Sequence, residues 1–159
     1  MSDARFAGLG TAALVTGSVA ALLSTVGLAL VAEAEGKAPL RPLNATSHWL
    51  HGDFAGLAGG ADLRRTGVGA LTNHGACLFW ALAFTAWQRA RPAGSAGALM
   101  RDGLAMAAVA AAVDYGATPK RLTPGWELVL SKAGMAGAYA ALAVGFAAGA
   151  SLDRRRPQR

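Results

Sequence analysis

Two histidines and an acid stand close together in one polar stretch of this chain. Residues 44–53 read Asn-Ala-Thr-Ser-His-Trp-Leu-His-Gly-Asp, and the two histidines are His48 and His51. Side chains at that spacing share one face of a helical turn, and neutral imidazoles are common ligands of zinc-like ions. His74 or Asp53 could complete such a shell, so a divalent-metal site is one hypothesis. The competing interpretation is an interfacial turn, where Trp49 would lie at headgroup depth.

A second hypothesis concerns His74 and Asp114, which fall inside or at the end of long apolar segments. Ionisable groups at membrane depth tend to face a partner or a wet cavity. We therefore expect His74 and Asp114 to contact each other, either as polar glue between helices or as a proton-linked pair. A b-type haem needs an axial histidine, and only His74 lies within a predicted span, so haem has little support.

Other polar residues should collect at the same end of the molecule as the histidines. The basic pair Lys120-Arg121 could hold a phosphate or a lipid headgroup. A salt bridge from this pair to Asp114, Glu127 or Asp53 is the simpler interpretation. The candidate ligand-binding residues are Asn44, His48, His51, Asn73, His74, Asp114, Tyr115, Lys120, Arg121 and Glu127.

The composition is that of a membrane protein. Of the 159 residues 53% are apolar and only 15% are charged, against about 25% in soluble domains. The 21 glycines suit helices that approach closely in lipid. Basic residues, which give the net charge of +6, stand at the ends of apolar runs; this pattern indicates membrane topology rather than nucleic-acid binding.

The apolar runs predict an all-α, integral membrane four-helix bundle that forms one domain over residues 1–159. A span needs about 20 apolar residues, and the predicted spans cover about 6–32, 66–88, 95–116 and 126–152. The third has a short uncharged run, 103–113, so a re-entrant half-helix is its alternative. The first could be a secretory signal, but it is longer than the ~7–15 apolar residues of a signal.

Local signals set the expected limits of the shorter elements. Pro39 and Pro42 should prevent the helix of the first span from continuing into the loop. Ala45–His51 is predicted to form a short interfacial helix in the first long loop, with Asn44 as its N-cap.

The last span has its own signals. Thr123-Pro124 is predicted to start it. Its Gly145-x-x-x-Gly149 sequence has the spacing of a helix-contact motif.

Charge predicts the orientation. With four spans, both ends of the chain share one side of the membrane. The short Arg89–Arg101 connection and the run Arg154-Arg155-Arg156 place that side in the cytoplasm by the positive-inside rule. The polar stretches 44–53 and 114–127 are then expected at the outer side of a bacterial inner membrane.

Several segments resemble parts of four-span inner-membrane proteins of proteobacteria to which no activity is assigned. The resemblance lies in Asn44–Leu50, in Val113–Glu127 and in Thr72-Asn73-His74 with Phe79-Trp80. It covers most of the chain. It implies the four-span bundle and carries no mechanism.

The sequence contains no recognisable catalytic motif. It favours a noncatalytic scaffold or accessory protein that presents its polar face at the outer leaflet to a protein partner or a lipid headgroup. One alternative is a membrane-embedded metal-dependent enzyme or metal-binding protein that uses His48, His51, His74 and Asp114. Another is an oligomeric, proton-linked transporter, because four short helices enclose little pathway. A homo-oligomer is compatible with each of these.

Overall fold

Four long helices and two structured loops make up the described part of the protein. The computed structural model describes residues 8–155, which form helices and turns with no strand among them. The long helices are α1 (Leu9–Ala34), α4 (Val68–Ala90), α5 (Ala96–Gly116) and α6 (Lys132–Arg154). The first loop holds the short helices α2 (Arg41–Ala45) and α3 (His48–His51), a 3₁₀ turn (Asp53–Leu57) and a π-helical turn (Leu63–Gly67). The second holds 3₁₀ turns at Lys120–Leu122 and Trp126–Leu128. The all-α prediction is confirmed for the described residues.

Three of the long helices, α1, α5 and α6, are long and apolar enough to cross a membrane. The shortest, α5, has 21 residues and extends about 32 Å at ~1.5 Å per residue, against a hydrocarbon core of about 30 Å. The third apolar run is therefore one continuous helix and not a half-helix. The remaining long helix, α4, has 23 residues but is not among the three that are apolar enough by this measure. Phe6 and Ala7 of the predicted first span lie outside the described residues.

Large apolar side chains cover the outside of the bundle. Leu22 and Leu30 of α1 and Leu71 and Phe79 of α4 are all exposed, whereas alanines and glycines fill much of the interior. In water such a surface would be an aggregation hazard. Lipid-embedded helices have this distribution, because small residues let their backbones approach one another.

The long helices form a ring that is closed on three sides. α1 packs extensively against both α6 and α4, and α6 also packs against α5. α4 and α5 make few contacts with each other. The fourth side of the ring therefore contains a gap.

The contact between α1 and α6 depends on two glycines. A Cβ atom on Gly145 would lie 2.5 Å from the Cα of Ala20, and one on Gly149 would lie 2.6 Å from the Cα of Thr16. No larger residue fits at that separation without moving a backbone. The helix-contact motif predicted from the sequence is confirmed.

Gln88 joins three helices at the end of the bundle that carries residues 8, 90–95 and 155, here called the terminal end. Its Nε2 donates to Asp102 Oδ2 of α5 at 2.9 Å. Its Oε1 accepts from the Arg154 guanidinium of α6 at 2.8 Å and from the Ala93 amide at 3.1 Å. Nothing in the sequence distinguished Gln88 from other residues near the end of a span.

Two predicted helix limits are wrong. The last helix begins at Lys132, not near Trp126, and Ser131 caps it by accepting a hydrogen bond from the Gly134 amide. The Thr123-Pro124 signal failed because Gly125 turns the chain back with a φ of 78°. The predicted helix Ala45–His51 is instead two short helices, α2, which holds Pro42 in its first turn, and α3, whose N-cap is Ser47.

Glu35 connects the end of α1 to the start of α6, at the end of the bundle opposite Gln88. Its carboxylate accepts hydrogen bonds from the backbone amide and hydroxyl of Ser131 and from Lys37 Nζ. Lys37 also donates to the carbonyl oxygen of Val129. The hydrogen bond from Lys37 and those from Ser131 lower the pKa of Glu35 to about 2.

A titration should reveal these contacts. The folded pKa of Glu35 lies below its ordinary value of 4.5, so its stabilisation is complete above about pH 4.5 and is lost as the pH falls toward 2. We expect Glu35→Gln to be less stable than wild type at neutral pH, with a difference that narrows below pH 4.5. Thermal unfolding in a nonionic detergent at several pH values measures this difference. A constant difference across the range would contradict the assignment.

Candidate functional site

The two polar stretches meet at one end of the bundle, here called the loop end, which carries residues 35–67 and 117–131. Trp126 Nε1 donates to Thr46 Oγ1 at 3.1 Å, and Arg121 Nε donates to the Trp49 carbonyl oxygen at 3.2 Å. Residues 44–53 and 114–127 therefore share one end of the molecule, as the sequence predicted.

His48 links the two loops from a buried position. Its Nε2 lies 3.0 Å from the carbonyl oxygen of Thr123, and its Nδ1 lies 3.3 Å from Asp53 Oδ1. Both ring nitrogens of His48 therefore already have polar neighbours within the protein, one in each loop.

The other two histidines have separate partners. His51 Nε2 donates to the carbonyl oxygen of Arg64 at 3.1 Å, and His74 Nε2 lies 3.1 Å from Ser18 Oγ of α1. Residues 8–155 contain no group of three or more His, Cys, Asp or Glu side chains that could hold a metal ion. The metal shell suggested for His48, His51, His74 and Asp53 is therefore not assembled, although His48 and Asp53 do touch.

The expected contact between His74 and Asp114 is wrong. Asp114 Oδ2 accepts a hydrogen bond from Tyr139 Oη of α6 at 2.7 Å, while His74 faces α1. The two residues belong to α4 and α5, which the gap in the ring separates. Tyr139 lies seven residues after the start of α6, whereas Asp114 lies two residues before the end of α5. No signal in the sequence therefore paired the two.

Asn44 holds the first loop together, so it is neither a helix cap nor an open ligand contact. Its Nδ2 donates to the carbonyl oxygens of Ala58 at 2.7 Å and Gly60 at 3.0 Å. Its Oδ1 accepts from Thr66 Oγ1 at 2.7 Å, and the residue is fully buried. These three hydrogen bonds engage both polar atoms of the amide. Its role is structural.

Asn73 connects α4 to α1. Its Nδ2 donates to Ser24 Oγ at 3.1 Å and to Thr25 Oγ1 at 3.2 Å. Burial of an amide in a helix interface is favourable only with such partners. The same residue also forms part of the wall of a cavity.

That cavity, here called the cleft, lies in the gap between α4 and α5. Its volume is about 360 Å³, within the ~300–1,000 Å³ range of small-molecule sites. Its inner residues, such as Cys77 and Leu142, are buried, while Ala76 at the rim is exposed. The cleft is lined by Trp49, Thr72, Asn73, Ala76, Cys77, Trp80, Asp114, Leu122, Thr123, Pro124, Trp126 and Leu142. It is mostly apolar and holds one carboxylate, that of Asp114.

A second cavity at the loop end, here called the basic groove, is more polar. It measures about 390 Å³ and is lined by His48, Trp49, Leu50, Gly52, Asp53, Lys120 and Arg121. Within residues 8–155 neither Lys120 nor Arg121 pairs with a carboxylate. The salt bridge expected from the sequence is therefore wrong. The groove has two available cations and one carboxylate, which already contacts His48.

No protein-family model, curated protein or solved structure matches this chain.

Trp49 lines both cavities and connects them. Its indole Nε1 donates to Thr72 Oγ1 of α4 at 3.1 Å, and its carbonyl oxygen accepts from Arg121. The hydrogen bond to Thr72 orients the indole ring, and Trp49 borders both the apolar cleft and the basic groove. A ligand that reached both would need an apolar part and an anionic part.

Tyr115 and Glu127 lie outside both cavities. Tyr115 stacks edge-to-face with Tyr139, with ring centroids 6.3 Å apart, and faces a shallow apolar depression between α5 and α6. Glu127 Oε1 accepts a hydrogen bond from Thr123 Oγ1. The sequence missed Trp80 and Leu142 of the cleft, because in an apolar helix nothing marks which residues face a gap.

Proposed function

We propose that this chain is a noncatalytic accessory protein of a bacterial inner membrane that binds an anionic lipid headgroup in the basic groove. In this proposal all four long helices cross the membrane, both ends of the chain are cytoplasmic, and the loop end lies at the outer leaflet. The chain would belong with the four-span proteobacterial proteins that its motifs resemble.

The length of α4 and its neighbours support the fourth span. With 23 residues it is long enough to cross about 30 Å of hydrocarbon. Two of its buried polar residues have partners inside the protein, since Asn73 bonds to α1 and Gln88 bonds to Asp102. Its outer face carries exposed Leu71 and Phe79. Polar groups inside a span are tolerated when they face the bundle in this way.

The observation that carries the headgroup proposal is that neither Lys120 nor Arg121 forms an ion pair with a carboxylate within the described residues. Two cations in one groove, next to a half-buried tryptophan, are suited to a phosphate at the membrane interface. A lysine or arginine near an anionic surface contributes about 1 kcal/mol. The pair together would favour an anionic over a zwitterionic lipid by roughly 30-fold.

The test compares lipid binding by wild type and by Lys120→Ala/Arg121→Ala. Delipidated protein in nonionic detergent is titrated with dioleoyl phosphatidylglycerol and with dioleoyl phosphatidylcholine, and bound lipid is counted by native mass spectrometry. We expect the wild type to bind phosphatidylglycerol more tightly than phosphatidylcholine. In the double variant the ratio of the two affinities should be at least tenfold smaller.

The matched control is Arg64→Ala/Lys132→Ala. It removes the same charge from the loop end, but neither residue lines the basic groove. The control should keep the wild-type preference. Equal losses in the two double variants would mean that general surface charge, and not the groove, attracts the lipid.

A further inference from the structure

We infer that the cleft between α4 and α5 holds one hydrocarbon chain of the same anionic lipid whose phosphate lies in the basic groove. This inference rests on the proposed headgroup site and adds where the apolar part of the ligand goes. The occupant is a membrane lipid with an anionic headgroup.

The chemistry of the two cavities assigns each part of the lipid to its place. The cleft is lined mainly by indole rings, proline and aliphatic side chains, and its one carboxyl group, Asp114, gives a phosphate no positive partner. The basic groove offers Lys120 and Arg121 against the single carboxylate of Asp53, so its net charge is positive. The charges therefore favour one orientation, with the chain in the cleft and the headgroup outside it.

The position of the cleft makes it accessible to lipid. α4 and α5 scarcely touch, so the cleft opens sideways between two long helices and not only at the loop end. In a membrane, hydrocarbon chains surround that opening. A chain could enter laterally while its headgroup stayed at the interface.

Trp49 provides the junction that a single molecule would cross. Its indole donates to Thr72 and its backbone carbonyl oxygen accepts from Arg121, and it borders both cavities. A lipid bound in this way would wrap past the indole ring, with its glycerol region beside it. Trp49 and Thr72 would then be the residues nearest to the ester groups.

The test fills the cleft without altering the groove. Ala76→Trp places an indole at the exposed rim of the cleft. Gly75→Trp places the same side chain on the neighbouring position, where a Cβ atom would meet nothing within 4 Å and which does not line the cleft. Each variant is titrated with dioleoyl and with dihexanoyl phosphatidylglycerol in detergent, and its mass is measured in the same native spectra.

We expect Ala76→Trp to weaken binding of the dioleoyl lipid at least tenfold and to leave the dihexanoyl lipid unaffected, whereas Gly75→Trp matches the wild type for both. Equal dioleoyl affinities in all three proteins would overturn the cleft inference and leave the headgroup proposal standing. If Lys120→Ala/Arg121→Ala kept the wild-type preference for phosphatidylglycerol, the proposed function itself would be overturned. A wild-type dimer that Ala76→Trp converts to a monomer would assign the cleft to a second copy and overturn the inference.

Discussion

Replacing Gly149 with leucine is expected to push α1 away from α6 and to destabilise the whole bundle. The added Cβ would lie 2.6 Å from Thr16 Cα and 2.9 Å from the Thr16 carbonyl oxygen. Both are backbone atoms, so no side-chain rotation relieves the clash. Overpacking of a tight contact costs about 1–3 kcal/mol or more. A cost of about 3 kcal/mol would lower the thermal midpoint by roughly 10 °C.

Thermal unfolding in detergent, followed by circular dichroism, measures this fall. Gly10→Leu is the matched control, because Gly10 also lies in a long helix but a Cβ there would meet nothing within 4 Å. Gly149→Ala should give an intermediate loss. If Gly149→Leu and Gly10→Leu unfold at the same temperature, the close approach of α1 and α6 does not exist.

Replacing Gly125 with alanine is expected to disrupt the cover that the second loop forms over the cleft. Two costs combine at this position. Its φ of 78° is a left-handed conformation that costs an L-residue about 1–2 kcal/mol. In addition, a Cβ would lie 2.5 Å from the Ala45 carbonyl oxygen and 2.8 Å from His48 Cδ2, which adds about 1–3 kcal/mol of overpacking.

Gly8→Ala separates the two costs. Gly8 has nearly the same left-handed backbone as Gly125, with φ 72° and ψ 10° against φ 78° and ψ 0°, but the nearest atom to its Cβ would be 3.8 Å away, in the Arg89 guanidinium, so only the backbone term applies there. We expect Gly125→Ala to lower the thermal midpoint at least twice as far as Gly8→Ala. It should also increase the quenching of tryptophan fluorescence by added acrylamide, because Trp126 follows Gly125 and is buried. Equal shifts in the two variants would show that Gly125 does not pack closely against Ala45 of α2 and His48 of α3.

The sequence predicted the long helices well because polar and charged segments clearly separate their apolar runs. The second and third predicted spans, 66–88 and 95–116, differ by at most two residues at each limit from α4 and α5. Ser95, just before α5, caps that helix. The start of the last helix was missed by about six residues, because a Thr-Pro pair that precedes a glycine turn looks the same as one that begins a helix.

The partners of the polar residues were predicted poorly, for a reason that lies in the composition. In helices made of alanine, glycine and leucine the apolar pattern does not define which face points inward. His74 and Asp114 could therefore be placed at a depth but not at an angle. Asn44 shows a related limit, since an asparagine that caps a helix and one that bonds to three loop groups have the same sequence signature.

The pairing of α1 with α6 bears on how the protein is made. These two helices share the most extensive contact in the bundle, yet they stand at opposite ends of the described chain. At about 5–20 residues per second, the ribosome finishes α6 several seconds after α1 has emerged. During that interval the Thr16 and Ala20 face of α1 has no permanent neighbour. The nascent chain must therefore reach its final arrangement late, when the last helix is released to displace whatever lipid or insertion machinery has sheltered that face.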